Sequence, residues 1–241
     1  MISNKISERE NYQHQAKAAV SKSWTSDQVI LPAIINVPFS STQEVWEKSS
    51  SNQRTTNITK HHNYFFLADN VEVAIDVTTS IRTKGLFQIP VYNSTIDVKG
   101  TINQSKLMAI KSKIITQFNN VKFGEAFISV AISDPRGIDN FPKLTIKEVE
   151  SSNELAVQFK PGSNLAQIDS GIHAPITFKA SESPLEFVYQ LQLRGMETLA
   201  VVPSGLMNDI RMRSTWRHPQ FVGDFLPASR QVNNKGYQAN W

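Results

Sequence analysis

Few residues in this 241-residue chain have the types and spacing that chemistry needs. There is no cysteine, which excludes a thiolate nucleophile, cysteine-containing zinc sites, iron–sulfur clusters and disulfides. Histidine is scarce, with five in the chain. His61 and His62 are adjacent, and strand neighbours face opposite ways, so they suit a shared metal poorly and read as solvated loop histidines. His173, within Gly171-Ile172-His173-Ala174-Pro175, has no partner visible in sequence and reads as a buried or turn-capping histidine. Asp134-Pro135-Arg136-Gly137 follows an apolar strand, and a charged loop at a strand end can be a site. The preferred reading is a turn in which Pro135 sets φ, Gly137 takes a positive φ and Asp134 caps the bend. Trp216-Arg217-His218-Pro219-Gln220-Phe221 could form a stacking platform for a saccharide. The preferred reading is a loop plugged into the core by Trp216, Phe221 and Phe225, in which case truncating Trp216 costs about 3 kcal/mol or more. Motifs for a nucleophile elbow, a zincin helix, a P-loop or a dinucleotide fold are missing. Asp134, Arg136, His173, Trp216 and His218 are therefore candidate interaction or structural residues. None is assigned a catalytic, cofactor-binding or metal-ligating role, and no cofactor is expected.

The elements that must position these residues are mostly strands. Ser7-x-x-Glu10 matches a capping box, and Tyr12, Ala16, Ala19 and Val20 recur at helical spacing, predicting a helix over about 7–22. Beyond Trp24 a period of two takes over: Val71-Val73-Ile75-Val77, Phe87-Ile89-Val91, Ile96-Val98, Ile128-Val130-Ile132, Leu155-Val157-Phe159, Ile176-Phe178 and Leu185 to Leu193. Ile210 and Met212 alternate with Arg211 and Arg213. Turn formers fall between runs, among them Lys99-Gly100, Arg194-Gly195 and Pro203-Ser204-Gly205. The fold class expected is mainly β: an antiparallel sandwich-like domain with an N-terminal helix and a minor additional helix. Residues 105–117 fit that second helix or two strands equally. Residues 40–60 are rich in Ser, Asn, Thr and Gln and read as an exposed, disordered excursion. The division expected is a helix over 1–24 and a β-rich unit over 25–241, as one body or two subdomains.

Charge and hydropathy narrow the partners. Lys and Arg total 25 against 21 Asp and Glu, a formal +4. The cations are scattered, with no basic run or stripe, so nucleic acid is not an expected partner. No apolar run reaches the roughly 20 residues of a membrane helix.

Several segments together resemble a known family. Glu8-Arg9, Ser23-Trp24, Gln28 and Pro32 to Phe39 look like the juxtamembrane start of the CreD family of bacterial inner-membrane proteins. Gly85-Leu86-Phe87-Gln88-Ile89-Pro90-Val91-Tyr92 is similar to its "RGIYEVPVY" segment, and Ser133-Asp134-Pro135-Arg136-Gly137 matches its "SDPRG" loop. Trp216 to Phe221, with Gly223, Phe225-Leu226-Pro227 and Arg230, follows its "W-x-HP-x-F-x-G-x-FLP-x-R" stretch, and Gly236-Tyr237-x-Ala239-x-Trp241 also fits. Residues 40–60 diverge, Thr83-Lys84 stands where the family tends to arginines, and Arg217 replaces a common proline. The resemblance implies a periplasmic domain of an inner-membrane protein, with one transmembrane helix before it and several after. It also implies a link to colicin tolerance, envelope integrity and a two-component response to β-lactams, without catalysis. The implied partners are the protein's own transmembrane helices, the inner membrane, and an envelope protein or cell-wall ligand. With membrane on both sides, the N-terminal helix and the tail from Pro227 should meet at one end of the domain.

Overall fold

The computed structural model describes residues 2–49, 52–149, 151–179 and 181–241. In chain order the elements begin with α1 (Ile2–Ser23), β1 (Gln28–Ser49), β2 (Asn52–Phe66), β3 (Ala68–Lys84), β4 (Phe87–Ile102), α2 (Gln104–Gln117), β5 (Lys122–Phe123) and β6 (Ala126–Ile132). They continue with β7 (Lys143–Glu148), β8 (Glu154–Gln158), β9 (Lys160–Pro161), β10 (Gly171–Ile176), β11 (Leu185–Met196) and β12 (Leu199–Val201). The last are β13 (Gly205–Ser214), β14 (Ser229–Asn233) and β15 (Gly236–Asn240).

Two sheets share one core. The first runs β12-β1-β6-β10-β9, with β2 and β5 also paired to β1; the second runs β14-β15-β13-β3-β4-β11-β7-β8. Ile30, Ile35, Ile128 and Ile132 from the first sheet meet Val73, Ile75, Ile96 and Phe187 from the second in a single apolar cluster. The period-two runs are the reason: Val71, Val73, Ile75 and Val77 are buried while Glu72, Ala74 and Asp76 are exposed. This is the β-sandwich-like arrangement expected, with two parallel pairings, β1 with β12 and β3 with β13, set among antiparallel ones.

Both helices have clear causes. The N-terminal helix is longer than predicted, so Ser7 lies inside it and does not cap it. Its second half packs, Ala16 and Val20 joining Ile89, Val91 and Met196, while residues 5–15 are exposed, Tyr12 of the expected stripe included. Residues 104–117 form a helix because the Asn103 side chain accepts from the Ser105 and Lys106 amides at its N-cap, and Leu107 and Ile114 bury one face.

Four expectations need correction. Residues 40–60 are not a disordered loop: β1 and β2 pair continuously from Ile35↔Phe66 to Ser49↔Asn52, with Ser50 and Ser51 outside the described residues. Backbone ladder bonds hold this ribbon, and its polar side chains hid the alternation. Gly100 and Gly195 are not turns but lie inside β4 and β11. Each faces an aromatic residue across the ladder, Phe187 opposite Gly100 and Tyr92 opposite Gly195, and the ring occupies the space a Cβ would need. The end of the tail does not return to the helix: Trp241 exchanges backbone bonds with Ile210, in register with Val73, whereas the helix packs on Ile89, in register with Arg82; only the turn between β14 and β15 points back that way. That separation along β3 is about 30 Å at strand rise. Finally, the aromatic plug is absent, as described below.

The Gly100–Phe187 pair yields a test. Gly100→Ala drives a methyl into the ring and should destabilise the chain by about 1–3 kcal/mol in urea unfolding. In a Phe187→Leu background the same substitution should cost less, with the part due to the Asn70 carbonyl, 2.7 Å from the added methyl, remaining.

Candidate functional site

The five candidate residues lie in three separate places. Asp134 and Arg136 sit where α1 enters β1, His173 lies in a groove on the outer face of the first sheet, and Trp216 and His218 occupy the loop after β13.

Asp134 is the carboxylate of a buried polar joint. It directly follows β6 and caps a single 3₁₀ turn, Pro135–Gly137. Its Oδ2 accepts from the Ser26 amide and hydroxyl, both at 3.0 Å, and from an Arg136 guanidinium nitrogen at 2.6 Å; its Oδ1 accepts from Arg136 Nε at 2.9 Å. Gln28, fully buried, ties the loop to the second sheet: its Nε2 donates to the Asp134 carbonyl at 3.0 Å and to the Arg194 carbonyl at 2.9 Å. Its Oε1 accepts from the Asp134 amide and the Ser133 hydroxyl, both at 3.2 Å. Arg136 also donates to the Ser21 carbonyl in the last turn of α1 at 3.4 Å. Trp24 completes the junction, its Nε1 donating to the Gly195 carbonyl at 3.1 Å while Arg82 and Arg194 stack on its ring. The turn reading of this loop holds, with one correction. Gly137 needs no positive φ; it is glycine because a Cβ would strike the Arg194 carbonyl and the Gln28 amide.

The hydrogen bonds from Arg136, followed by those from Ser26, hold the Asp134 carboxyl well below the usual carboxylate range, against the opposing effect of burial. A group depressed on folding stabilises the fold above its ordinary value of 3.8 and loses that contribution as pH falls through its folded value.

His173 lines the second place, an open groove of about 620 Å³. The outer faces of β1 and β2 supply Pro38, Ser40, His61 and Asn63; β6 and β10 add Phe127, His173 and Pro175. Lys122 of β5 and Lys160 of β9 stand toward its two ends. His173 is half-buried, with Nδ1 2.7 Å from the Gly162 carbonyl. A carbonyl only accepts, so Nδ1 carries the proton and Nε2 is the nitrogen left for a ligand. It is edge-on to Phe127 at 5.7 Å. His61 is exposed, but His62 is not a solvated loop residue: it stacks on Phe39 at 4.8 Å and bonds Ser41 Oγ at 2.9 Å. That Ser–His contact is packing. Ser41 is buried, and among the described residues no carboxylate bonds the other ring nitrogen to orient it as a base.

The third place overturns the plug. Phe225 is 73% exposed and Leu226 67%, and Trp216 and Phe221 are only half-buried. Phe221 packs edge-on against Tyr237 and Trp241, at interplanar angles of 88° and 65°. Trp216 turns its Nε1 onto the His218 carbonyl at 2.8 Å, and His218 itself is exposed. Rings crossed at such angles make no flat platform either. The loop lies over the β13–β15 edge because Trp241 Nε1 donates to the Phe225 carbonyl at 3.0 Å, which leaves the Phe225 side chain outward.

Sequence reasoning missed Gln28 as the centre of the joint, and Lys122, Lys160, Asn63 and Asn164 in the groove. No signal marked the two lysines, since β5 and β9 are two-residue strands with no periodicity to read. Among the described residues no cluster of three or more His, Asp or Glu side chains could hold a metal, and no helix is long and apolar enough to cross a membrane.

Comparison with known proteins agrees along the whole chain. A family described as "Inner membrane protein CreD" matches residues 1–241. The inner membrane protein CreD of Escherichia coli (strain K12) is 27% identical over 242 residues, a match that covers 100% of this chain and 50% of that protein. The chain thus spans about half the length of this relative. No solved structure matches it.

Two outcomes test these assignments. Asp134→Asn should cost about 2 kcal/mol at pH 7, and the gap to the parent should narrow progressively as pH falls below about 4, where the unfolded chain's carboxyl takes up a proton while the folded one is still held ionised. Phe225→Ser should leave the unfolding midpoint within about 0.5 kcal/mol of the parent, as an exposed side chain requires.

Proposed function

Since the chain belongs to the CreD family of inner membrane proteins, we propose that it forms a periplasmic domain that senses or scaffolds at the cell envelope without catalysis. The observation that supports this reading is the joint. A flexible linker would isolate a domain from the helix that precedes it; here the segment leaving α1 is held, Ser26 by Asp134, Gln28 by the Asp134 and Arg194 carbonyls and Trp24 by the Gly195 carbonyl, while Arg136 reaches the Ser21 carbonyl of α1 at the surface. Whatever the sheets bind is thereby reported at the helix, and whatever moves the helix moves the sheets. The groove around His173 offers a concave binding surface on the same first sheet, reached from the joint through β6. A role in envelope integrity, colicin tolerance or the response to β-lactams would follow from such coupling. The groove's histidines lack the oriented base and nucleophile that hydrolysis needs, which favours binding over turnover.

Placement is readily tested because the chain has no cysteine of its own. Leu86 and Phe141 are 97% and 90% exposed. Single cysteines placed there in the membrane-embedded protein should react with a membrane-impermeant maleimide in cells whose outer membrane alone is permeabilised. Labelling only after inner-membrane lysis would overturn the periplasmic assignment.

A further inference from the structure

We propose that the groove on the outer face of the first sheet binds a short acidic saccharide, its carboxylates held by Lys122 and Lys160. The proposal rests on the binding reading above and names the ligand class.

The groove is rich in free donors. Lys122 and Lys160 both line it, and neither forms an ion pair or side-chain hydrogen bond among the described residues. Some lysines elsewhere are neutralised by carboxylates, such as Lys17 by Glu197 and Lys99 and Lys147 by Glu186; what sets Lys122 and Lys160 apart is that both line one groove. Glu125 is the one carboxylate among the lining residues, so the two lysines leave a net positive lining. Lys122 is opposite Ser40 in the ladder and Lys160 opposite His173, which places them at different ends of the groove. An elongated ligand with separated negative charges meets that spacing, whereas a single small anion meets only one end.

The middle of the groove reads hydroxyl groups. Asn63 lines the groove, and the fully buried Asn36 beneath it donates through Nδ2 to Asn63 Oδ1 at 3.4 Å. Asn63 is exposed, and its amide nitrogen is not used in that bond, so it keeps donors for a ligand. His173 and Asn164 also line the groove, and the Gly162 bond leaves His173 Nε2 unused. Planar side chains of this kind pair with the vicinal hydroxyls of sugars, and the rings of Pro38 and Pro175 give the apolar C–H face of a sugar somewhere to lie. A peptide adding as a strand would instead want an open strand edge, which the centre of a sheet face does not provide. The volume, about 620 Å³, is in the range of small-ligand sites and suits two or three sugar units.

Titration calorimetry on the 241-residue chain at low ionic strength tests this, with tri-galacturonate as the probe. Saturable one-site binding is expected, at least about tenfold tighter than maltotriose, which has the hydroxyls without the carboxylates. Lys122→Gln and Lys160→Gln should each weaken it by about tenfold, while Lys235→Gln, an exposed lysine outside the groove, should not change it. Absence of saturable binding overturns the proposal. So does equal affinity for tetraglutamate or inorganic phosphate, which would mean that charge alone is read, or an equal loss in Lys235→Gln. These outcomes leave the periplasmic assignment untouched, because that stands or falls on maleimide labelling.

Discussion

The architecture depends on one irregularity in its longest strand. Register in β1 shifts between Leu31 and Ile34, at Pro32, which has no amide to give to a ladder. The freed groups are not wasted. The Pro32 carbonyl accepts from the Tyr189 hydroxyl of the opposite sheet at 2.5 Å, and the Ala33 amide donates to Ser204 Oγ at 3.1 Å. Tyr189 is fully inside the core, where burial pushes its phenol far up and keeps it protonated, as a donor must be. The bulge also changes which side chains face inward. Before it Ile30 points into the core; after it Ala33, Ile35 and Val37 do. Without that switch Asn36, Pro38 and Ser40 would be aimed at the apolar interior, and the groove would have no floor.

Joint and groove are therefore two products of the same strand. β1 starts at Gln28, whose amide binds loop and second sheet together, and it passes the groove eight to twelve residues later. β6 runs beside it, with Phe127 in the groove at one end and Asp134 just beyond the other. Every residue of β6 is buried, so the link between them is a packed strand with no solvated break. Such an element transmits displacement better than a chain of surface contacts would.

Much of this was readable from sequence, for identifiable reasons. Strands with one apolar face, such as Val71 to Val77 and Leu185 to Leu193, announce themselves through alternation, and the Asp134 turn through its Pro and Gly. Residues 40–60 did not, because the outer ribbon is polar, with residues 55–60 exposed on both faces, and shows no apolar alternation; its order comes mainly from backbone pairing. Gly100 and Gly195 misled because a glycine that makes room for a ring looks the same in sequence as one that makes a turn. Trp216 and Phe225 misled differently. Aromatic content suggested a core, but burial depends on whether a surface is available to cover the ring, and here Tyr237 and Trp241 offer enough for Phe221 only. The groove was invisible because its lysines come from strands too short to have a period.

The ribbon gives β1 an uneven energetic profile. At Ile30 and again at Ile35 and Asn36 the strand has a neighbour on each side, β6 runs beside the whole stretch and a core lies beneath, so its bonded amides should open to solvent only with the whole domain. From Gln43 to Ser49 it has β2 alone, and a two-stranded ribbon in water is marginally stable at best. Hydrogen exchange along this one strand would then run from global to nearly free within about a dozen residues. The outer ribbon can fray and re-form many times in the life of a molecule whose core never opens. A protease would find its first substrate there, and a partner strand could pair with either edge of the ribbon while the sandwich behind it stays intact.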